Sequence, residues 1–143
     1  MNTTINNSAI SVSIKHSGAE LFSLKDNQNK EYIWEGSPDF WGKHSPVLFP
    51  IVGTLKNNTY TIDEKAYQLP RHGFARDMNF ELIEKTENTA IFSLKSNAET
   101  LEKYPFEFEL QLIYTLHNSN LEIEYKVINT GKSKMPFLTV SMS

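Results

Sequence analysis

Apolar and polar residues alternate with a period of two through most of this chain. Ile10, Val12 and Ile14, for example, are separated by serines, and the alternation is longest in the last third of the sequence. Successive side chains of a β-strand point to opposite faces of the sheet, so this pattern is typical of strands with one buried face. It predicts strands over 10–15, 19–24, 31–34, 59–63, 66–69, 80–84, 90–94, 106–116 and 121–128, and a further segment opens at 135–138.

The segment 40–53 is rich in apolar residues but follows neither the strand period nor the helix period. Pro46 and Pro50 exclude a central strand or a helix interior there, because proline lacks the backbone N–H that either would need. We expect a loop tucked under the sheet. Its polar residues Lys43 and His44 are either rim residues or a cationic pair that points into a cleft.

One short helix is indicated over 97–104, where Asn97 can cap the N-terminus and Pro105 ends the pattern. Many short strands with hardly any helix are typical of an all-β protein, and we predict an antiparallel β-sandwich. The chain contains no internal repeat or low-complexity linker. We therefore expect residues 1–143 to form a single domain.

Composition narrows the class of partner. The net charge is −3, with acids and bases mixed along 143 residues, which argues against nucleic acid because phosphate binding needs a basic patch. Cysteine is absent, which excludes disulfides, thiol nucleophiles and cysteine zinc sites. No apolar run approaches the roughly 20 residues of a membrane helix, and the N-terminus has no signal-like pattern. We expect a soluble cytoplasmic protein without a membrane partner.

The stretch Leu69–Asp77 is the richest in residue types that can bind ligands or transfer protons. It holds two arginines, a histidine, a glycine and an aspartate between two predicted strands. Loops on a β scaffold often carry binding and catalytic groups. His72 could act as a general acid–base or a hydrogen-bonding group near neutral pH. Arg71 and Arg76 offer planar donors for hydroxyl, carboxylate or phosphate oxygens. The alternative is a structural loop whose charges pair with one another.

Other reaction classes have no support in the sequence. A serine nucleophile elbow, a phosphate-binding loop, a dinucleotide fingerprint and a zinc-binding HExxH motif are all absent. The histidines His16, His44, His72 and His117 stand at no metal-ligand spacing. We expect neither a metal nor any other cofactor, and we interpret His16 and His117 as solvated turn residues. The glutamates of the last strands are expected to form a solvated sheet face.

Pro46–Gly53, followed by His72–Asp77, resembles the galactose mutarotase-like (aldose 1-epimerase) family. The resemblance is closest to bacterial mutarotase-related proteins and hexose-6-phosphate epimerases. Trp34, the stretch 40–43 and the stretch 104–106 fit the same pattern, so the resemblance covers most of the chain. It implies that the chain is the N-terminal part of a β-supersandwich whose sugar cleft is lined by loops.

This resemblance also implies an activity and a site. Enzymes of the family open an aldose ring and reclose it as the other anomer, using a carboxylate at the C1 hydroxyl and an imidazole at the ring oxygen. His72 matches their first active-site histidine and is our catalytic candidate. Arg76 matches a cleft arginine that can hold a phosphate, and Arg71 joins it as a substrate-binding candidate. Lys43 stands where the family usually has arginine, which keeps the charge but loses the bidentate geometry.

The chain departs from the family after Met135–Phe137. Family members continue there with a Gly-Gly-His-Pro stretch that carries the acid histidine, and their glutamate base lies far downstream. Here Leu138–Ser143 follows, and no histidine comes after His117. We therefore expect a truncated N-terminal half, with a tail that resembles the product of a truncation or frameshift and little or no epimerase activity.

Three functions remain open at this point. The first is an aldose 1-epimerase-like protein that takes a monosaccharide or sugar phosphate. The second is a carbohydrate-binding β-sandwich module without catalysis, and the third is a plain interaction domain. Half of a larger sandwich would expose strand edges and an apolar face, so we also expect a homo-oligomer that covers this surface.

Overall fold

A computed structural model describes residues 1–33, 46–137 and 139–141 of the chain. Within these ranges it confirms the all-β prediction, with eleven strands and one short α-helix. The predictions at Trp34, Lys43 and His44 fall outside the described residues. The strands are β1 (Asn2–Asn6), β2 (Ile10–Lys15), β3 (Glu20–Asp26), β4 (Val47–Leu48), β5 (Thr59–Ile62), β6 (Lys65–Gln68), β7 (Glu81–Lys85), β8 (Thr89–Lys95), β9 (Phe108–His117), β10 (Asn120–Asn129) and β11 (Val140–Ser141), and the helix is α1 (Ala98–Lys103).

Two antiparallel sheets make up the sandwich. One has the order β1-β2-β3 and the other the order β10-β9-β8-β7, while β5 pairs with β6 and β4 with β11. The hydroxyl of Tyr114 on β9 donates to the carbonyl of Ala19 at 2.7 Å, and the ring of His16 packs edge-on against Phe92 on β8. These contacts join the turn before β3 to the inner face of the larger sheet, so both sheets share one core.

The period-two pattern becomes a pattern of burial in β9. Every second residue of this strand is buried, from Phe108 to Leu116, and the residues between them are half-buried. β10 pairs with β9 along ten residues and carries its own apolar side chains on the same face. Those side chains are only half-buried, whereas its glutamates are exposed as expected. β10 is thus a long strand at the edge of the four-stranded sheet.

The strand predicted over 31–34 is wrong in its described part. Glu31 forms only an isolated bridge with Lys25. Its carboxylate accepts hydrogen bonds from the Ser23 hydroxyl at 2.6 Å and from the Leu24 amide at 2.7 Å. These bonds hold the pKa of Glu31 below its ordinary value even though burial of the carboxyl opposes them. The Glu31 side chain therefore satisfies part of the backbone here, and the Tyr32 amide donates to the Leu24 carbonyl of β3 at 2.8 Å.

β1 was not predicted from the sequence, because its inner face consists only of Thr3 and Ile5. His16 lies in the predicted turn but is half-buried rather than solvated. Its Nε2 lies 2.7 Å from the Thr3 hydroxyl, and burial lowers the pKa of its imidazole. The N-terminal strand therefore covers a histidine that the local sequence places in solvent.

The predicted cap of α1 is confirmed. The side chain of Asn97 accepts a hydrogen bond from the Thr100 amide at 2.9 Å, and the Thr100 hydroxyl accepts one from the Asn97 amide at 2.9 Å. This reciprocal capping box satisfies two amides that a helix start leaves without intrahelical partners. No helix in the described ranges is long and apolar enough to cross a membrane.

Candidate functional site

The proline-containing segment forms the buried support of the site. Val47, Leu48 and Phe49 have at most 1% of their surface exposed, so the expected tucked-in loop is buried at these residues of its described part. Two residues of it form β4, a strand just long enough to fit between Pro46 and Pro50. A strand of two residues was not predicted there, although the two prolines exclude only a longer one.

Phe49 joins this support to the loop Leu69–Asp77, which we call the site loop. The ring of Phe49 packs in an aromatic cluster, with its centroid 5.1 Å from that of Phe108 and 6.0 Å from that of Tyr104. Its carbonyl accepts hydrogen bonds from the amides of Phe74 at 2.9 Å and Ala75 at 3.2 Å. One residue thus fixes the site loop to the core.

Gly73 permits this close approach. It forms a parallel bridge with Phe49, and a Cβ atom at this position would overlap the Phe49 carbonyl. Its φ of +76° also lies in the left-handed region that glycine adopts at little cost. Glycine is therefore required here for two separate reasons, and it places His72 next to the 49–53 backbone.

His72 is held by a reciprocal pair of hydrogen bonds with Gly53. The His72 amide donates to the Gly53 carbonyl at 2.8 Å, and the Gly53 amide donates to Nδ1 of the imidazole at 2.8 Å. The φ of His72 is +64°, which is uncommon for a residue with a side chain. Such conformations persist where surrounding contacts determine them, often at functional sites.

These bonds determine the tautomer of His72. Because Nδ1 accepts a hydrogen bond, the proton of the neutral ring must be on Nε2. Nε of Arg71 also points its hydrogen at Nε2, 3.2 Å away. A neutral ring cannot accept at both nitrogens, so with Nδ1 accepting from Gly53 two donors face each other there. The exposed Arg71 side chain can turn away more easily than the Gly53 amide can move. One oxygen atom from a ligand could accept hydrogen bonds from both donors.

Burial, followed by the positive charges of Arg71 and Arg76, lowers the pKa of His72 below its ordinary value. The imidazole is therefore neutral at pH 7 and offers a hydrogen-bond donor rather than a positive charge. Both described contacts of its ring nitrogens are with donors, not with a carboxylate.

Arg76 is half-buried and only partly satisfied. One of its terminal nitrogens donates to the Arg71 carbonyl at 3.1 Å. Its Nε lies 4.0 Å from the nearer Asp77 oxygen, which is too long for a hydrogen bond. Within the described residues this buried Nε has no acceptor. Such donors call for a partner, and a ligand oxygen is one way to provide it.

The turn between β2 and β3 packs against the site loop at Arg76 and bonds to the residues that follow the loop. The Gly18 amide donates to the Met78 carbonyl at 2.7 Å, and the Phe80 amide donates to the His16 carbonyl at 2.8 Å. A Cβ atom on Gly18 would lie only 2.7 Å from the Arg76 carbonyl oxygen. Neither Gly18 nor Gly53 was predicted from the sequence to contact the site loop. Glycine alone signals a turn but not which distant loop it contacts.

An apolar cavity of about 280 Å³ adjoins the site loop. Pro50, Ile51, Leu69 and Tyr104 contribute to its walls. Leu69 is the residue by which the site loop contributes to this lining, so the cavity borders the loop, while the donors of His72, Arg71 and Arg76 lie outside its walls.

The structure brings three of the four predicted site residues together: His72, Arg71 and Arg76. Lys43 lies outside the described residues. Among the residues that are described, no group of three or more histidine or acidic side chains could hold a metal ion.

The model of the aldose 1-epimerase family matches residues 1–139 of the chain. The chain belongs to this family. It is 38% identical over 143 residues to Protein LacX, plasmid, of Lactococcus lactis subsp. lactis, covering 96% of this chain and 48% of that protein. This member of the aldose 1-epimerase family therefore spans about half the length of such relatives.

Solved structures agree with this assignment. The galactose mutarotase related enzyme from Lactobacillus acidophilus is 45% identical, with a TM-score of 0.94 over 96% of this chain and 46% of that chain. A galactose mutarotase-like protein from Lactobacillus casei ATCC 334 is 39% identical, with a TM-score of 0.94 over 97% and 48%. The fold of this aldose 1-epimerase family member is thus the all-β sandwich of the galactose mutarotase-like proteins.

Proposed function

We propose that this chain is a sugar-binding part of an aldose 1-epimerase-like protein of the cytoplasm, which interconverts the anomers of a monosaccharide or sugar phosphate. The observation that carries the proposal is the convergence of unsatisfied donors on the site loop. The Nε2–H of His72 faces Arg71, and Arg76 has a buried nitrogen without an acceptor in the described residues. Sugar hydroxyls and phosphate oxygens are suitable acceptors for such donors.

Each site residue has a defined part in this proposal. His72 contacts the sugar through Nε2–H, close to the reacting atoms. Arg71 and Arg76 hold further oxygens, including those of a phosphate when the sugar carries one. Lys43 adds a positive charge without the bidentate geometry of arginine. The apolar cavity beside Pro50 and Leu69 accommodates the less polar face of a ring.

Ring opening needs both a base at the C1 hydroxyl and an acid at the ring oxygen. The described residues give His72 two donor contacts and no carboxylate partner. We therefore propose that the chain alone has little or no epimerase activity. The same observation favours a second candidate function, that of a carbohydrate-binding module without catalysis.

Polarimetry and ligand titration together test the proposal. Fresh α-D-galactose and α-D-glucose should mutarotate with the purified chain no faster than in buffer. Glucose and glucose 6-phosphate, followed by ¹H–¹⁵N NMR, should shift the signals of the site loop. His72→Ala should abolish these shifts, while His117→Ala should retain them, because His117 is an exposed residue on the β9–β10 hairpin.

The outcomes separate the alternatives. Binding without a rate supports the binding role of the chain. A rate above buffer that His72→Ala removes would show that the chain is itself an enzyme. Absence of any binding by either sugar would contradict the proposal. In a relative of full length, replacing the histidine aligned with His72 should lower the rate by roughly 100-fold if this residue takes part in proton transfer.

A further inference from the structure

Gly18, in the turn between β2 and β3, lies directly against the main chain of Arg76. A Cβ atom on Gly18 would come within 2.7 Å of the Arg76 carbonyl oxygen and within 3.4 Å of the Arg76 Cα atom. The first of these separations is too short for two atoms that are not bonded. Any side chain at position 18 must therefore displace one of the two segments.

The turn cannot easily move back, because it is tied to the residues that follow the site loop. The Gly18 amide donates to the Met78 carbonyl at 2.7 Å, and Ser17 forms an antiparallel bridge with Asn79. These contacts begin only two residues after Arg76. A Cβ atom at position 18 would therefore push on Arg76 rather than move the whole turn away.

Arg76 is held from its other side by the core. The Phe49 carbonyl accepts hydrogen bonds from the amides of Phe74 and Ala75, and Ala75 is fully buried. The main chain of Arg76 thus lies between two fixed segments, the core strand segment at Phe49 and the turn at Gly18. Its side chain consequently starts from a defined point.

This starting point decides where the Arg76 guanidinium lies. One terminal nitrogen donates to the Arg71 carbonyl at 3.1 Å, which is already near the long end of the usual range for such a bond. The buried Nε has no acceptor among the described residues. Even a small shift of the Arg76 main chain would lengthen the bond to Arg71 and move the positive charge relative to His72.

We infer that Gly18 is a positioning residue for the site, because the missing side chain on the β2–β3 turn sets the place of the Arg76 guanidinium beside His72. Gly18 acts through Arg76 and not by contact with a ligand. Its effect on sugar binding rests on the proposed function, whereas its effect on the guanidinium does not. The two effects can therefore be tested separately.

The titration of His72 without any ligand tests the position of the guanidinium. Burial lowers the pKa of His72, and the positive charges of Arg71 and Arg76 lower it further. Gly18→Ala should move the Arg76 charge away, so the midpoint of the His72 titration, followed by NMR, should rise. Gly18→Asn adds the same Cβ atom at the φ of +73°, which asparagine adopts more readily than alanine. It should reproduce the rise even where alanine impairs folding.

Two controls separate this effect from general damage. Asn29→Ala places an alanine at a φ of +67° in the turn after β3, so it carries similar backbone strain and should leave the midpoint unchanged. Arg76→Ala removes the charge but keeps the carbonyl that Gly18 contacts. In that background Gly18→Ala should change the midpoint no further.

Three results would overturn the inference. The first is an unchanged or lower midpoint in both Gly18 variants, and the second is an equal rise in Asn29→Ala. The third is a further rise when Gly18→Ala is added to Arg76→Ala, since the effect would then not pass through the guanidinium.

Glucose 6-phosphate tests the consequence for binding. Gly18→Ala should weaken its affinity by roughly tenfold, the loss expected for one hydrogen bond to a charged group. Equal affinity of Gly18→Ala and the unmodified chain would contradict a role of Gly18 in binding. Absence of binding by the unmodified chain would instead contradict the proposed function, while the His72 titration would still decide whether Gly18 positions Arg76.

Discussion

At the scale of single residues, His72 combines a strained backbone with a ring of fixed orientation. Its φ of +64° is stabilised by hydrogen bonds with the carbonyl and the amide of Gly53. Those bonds leave Nε2–H as the available group of the imidazole. The side chain is thus prepared to donate a hydrogen bond, which is a narrower role than the general acid–base chemistry that a histidine suggests by itself.

The tautomer of His72 can be measured directly. Long-range ¹H–¹⁵N correlation at pH 7 should show a neutral ring with hydrogen on Nε2 and none on Nδ1. The midpoint of titration should lie below the ordinary value of about 6.5. Because the pKa of His72 is lower in the folded state, its neutral ring stabilises the fold. This contribution is complete above the unfolded pKa of about 6.5 and is lost as the pH falls through the lower pKa of the folded state.

Arg71 provides the control for this titration. Arg71→Ala removes one of the positive charges that lower the pKa of His72, so the midpoint should rise, whereas Arg71→Lys should leave it low. A ring that is protonated on Nδ1 at pH 7 would contradict the hydrogen-bond assignment. This readout needs no sugar, so it remains informative whether or not a ligand binds.

At the scale of elements, the alternation of apolar and polar residues and the helix-capping residue predicted those features that depend on residues close in sequence. β2, β9 and β10 appear close to their predicted bounds because the alternation in each covers six residues or more. β1 was missed because its single isoleucine gives too weak a signal. The strand at 31–34 failed because Glu31 bonds to the backbone of β3, a contact that alternation does not encode.

The capping box of α1 makes a quantitative test. Asn97→Ala should lower the free energy of unfolding by about 1 kcal/mol, because the Thr100 amide loses its acceptor. Urea denaturation provides the measurement. Asn27→Ala is a suitable control, since Asn27 is an exposed asparagine in a turn and should change stability little. Equal effects of the two substitutions would mean that the cap contributes nothing specific.

At the scale of the whole molecule, the site depends on contacts between distant parts of the chain. His72, Arg71 and Arg76 were predictable because they occur in one short stretch. Gly53 and Gly18 were not, since they act by approaching the site loop from other segments. The lengths of predicted strands and the turn residues between them indicate where the chain reverses, but they do not indicate which turn will contact which loop.

Tyr114 offers a test of the sandwich as one unit, because its hydroxyl donates to the Ala19 carbonyl at the other sheet. Tyr114→Phe leaves that buried carbonyl without its donor and should cost about 1–3 kcal/mol of stability. Tyr32→Phe removes an exposed hydrogen bond to Asp26 and should cost clearly less. Thermal unfolding of both variants decides the comparison, and an equal loss would argue against close packing of the two sheets.

The double attachment of Phe49 has a consequence for the energetics of recognition. Its ring is embedded in the aromatic core while its carbonyl holds two amides of the site loop. Loops that close over ligands usually come from the least stable parts of a protein and lose conformational entropy on binding. Here the loop is already ordered by the core. A sugar that reaches these donors spends little of its binding energy on arranging them, so even weak hydrogen bonds can select among stereoisomers.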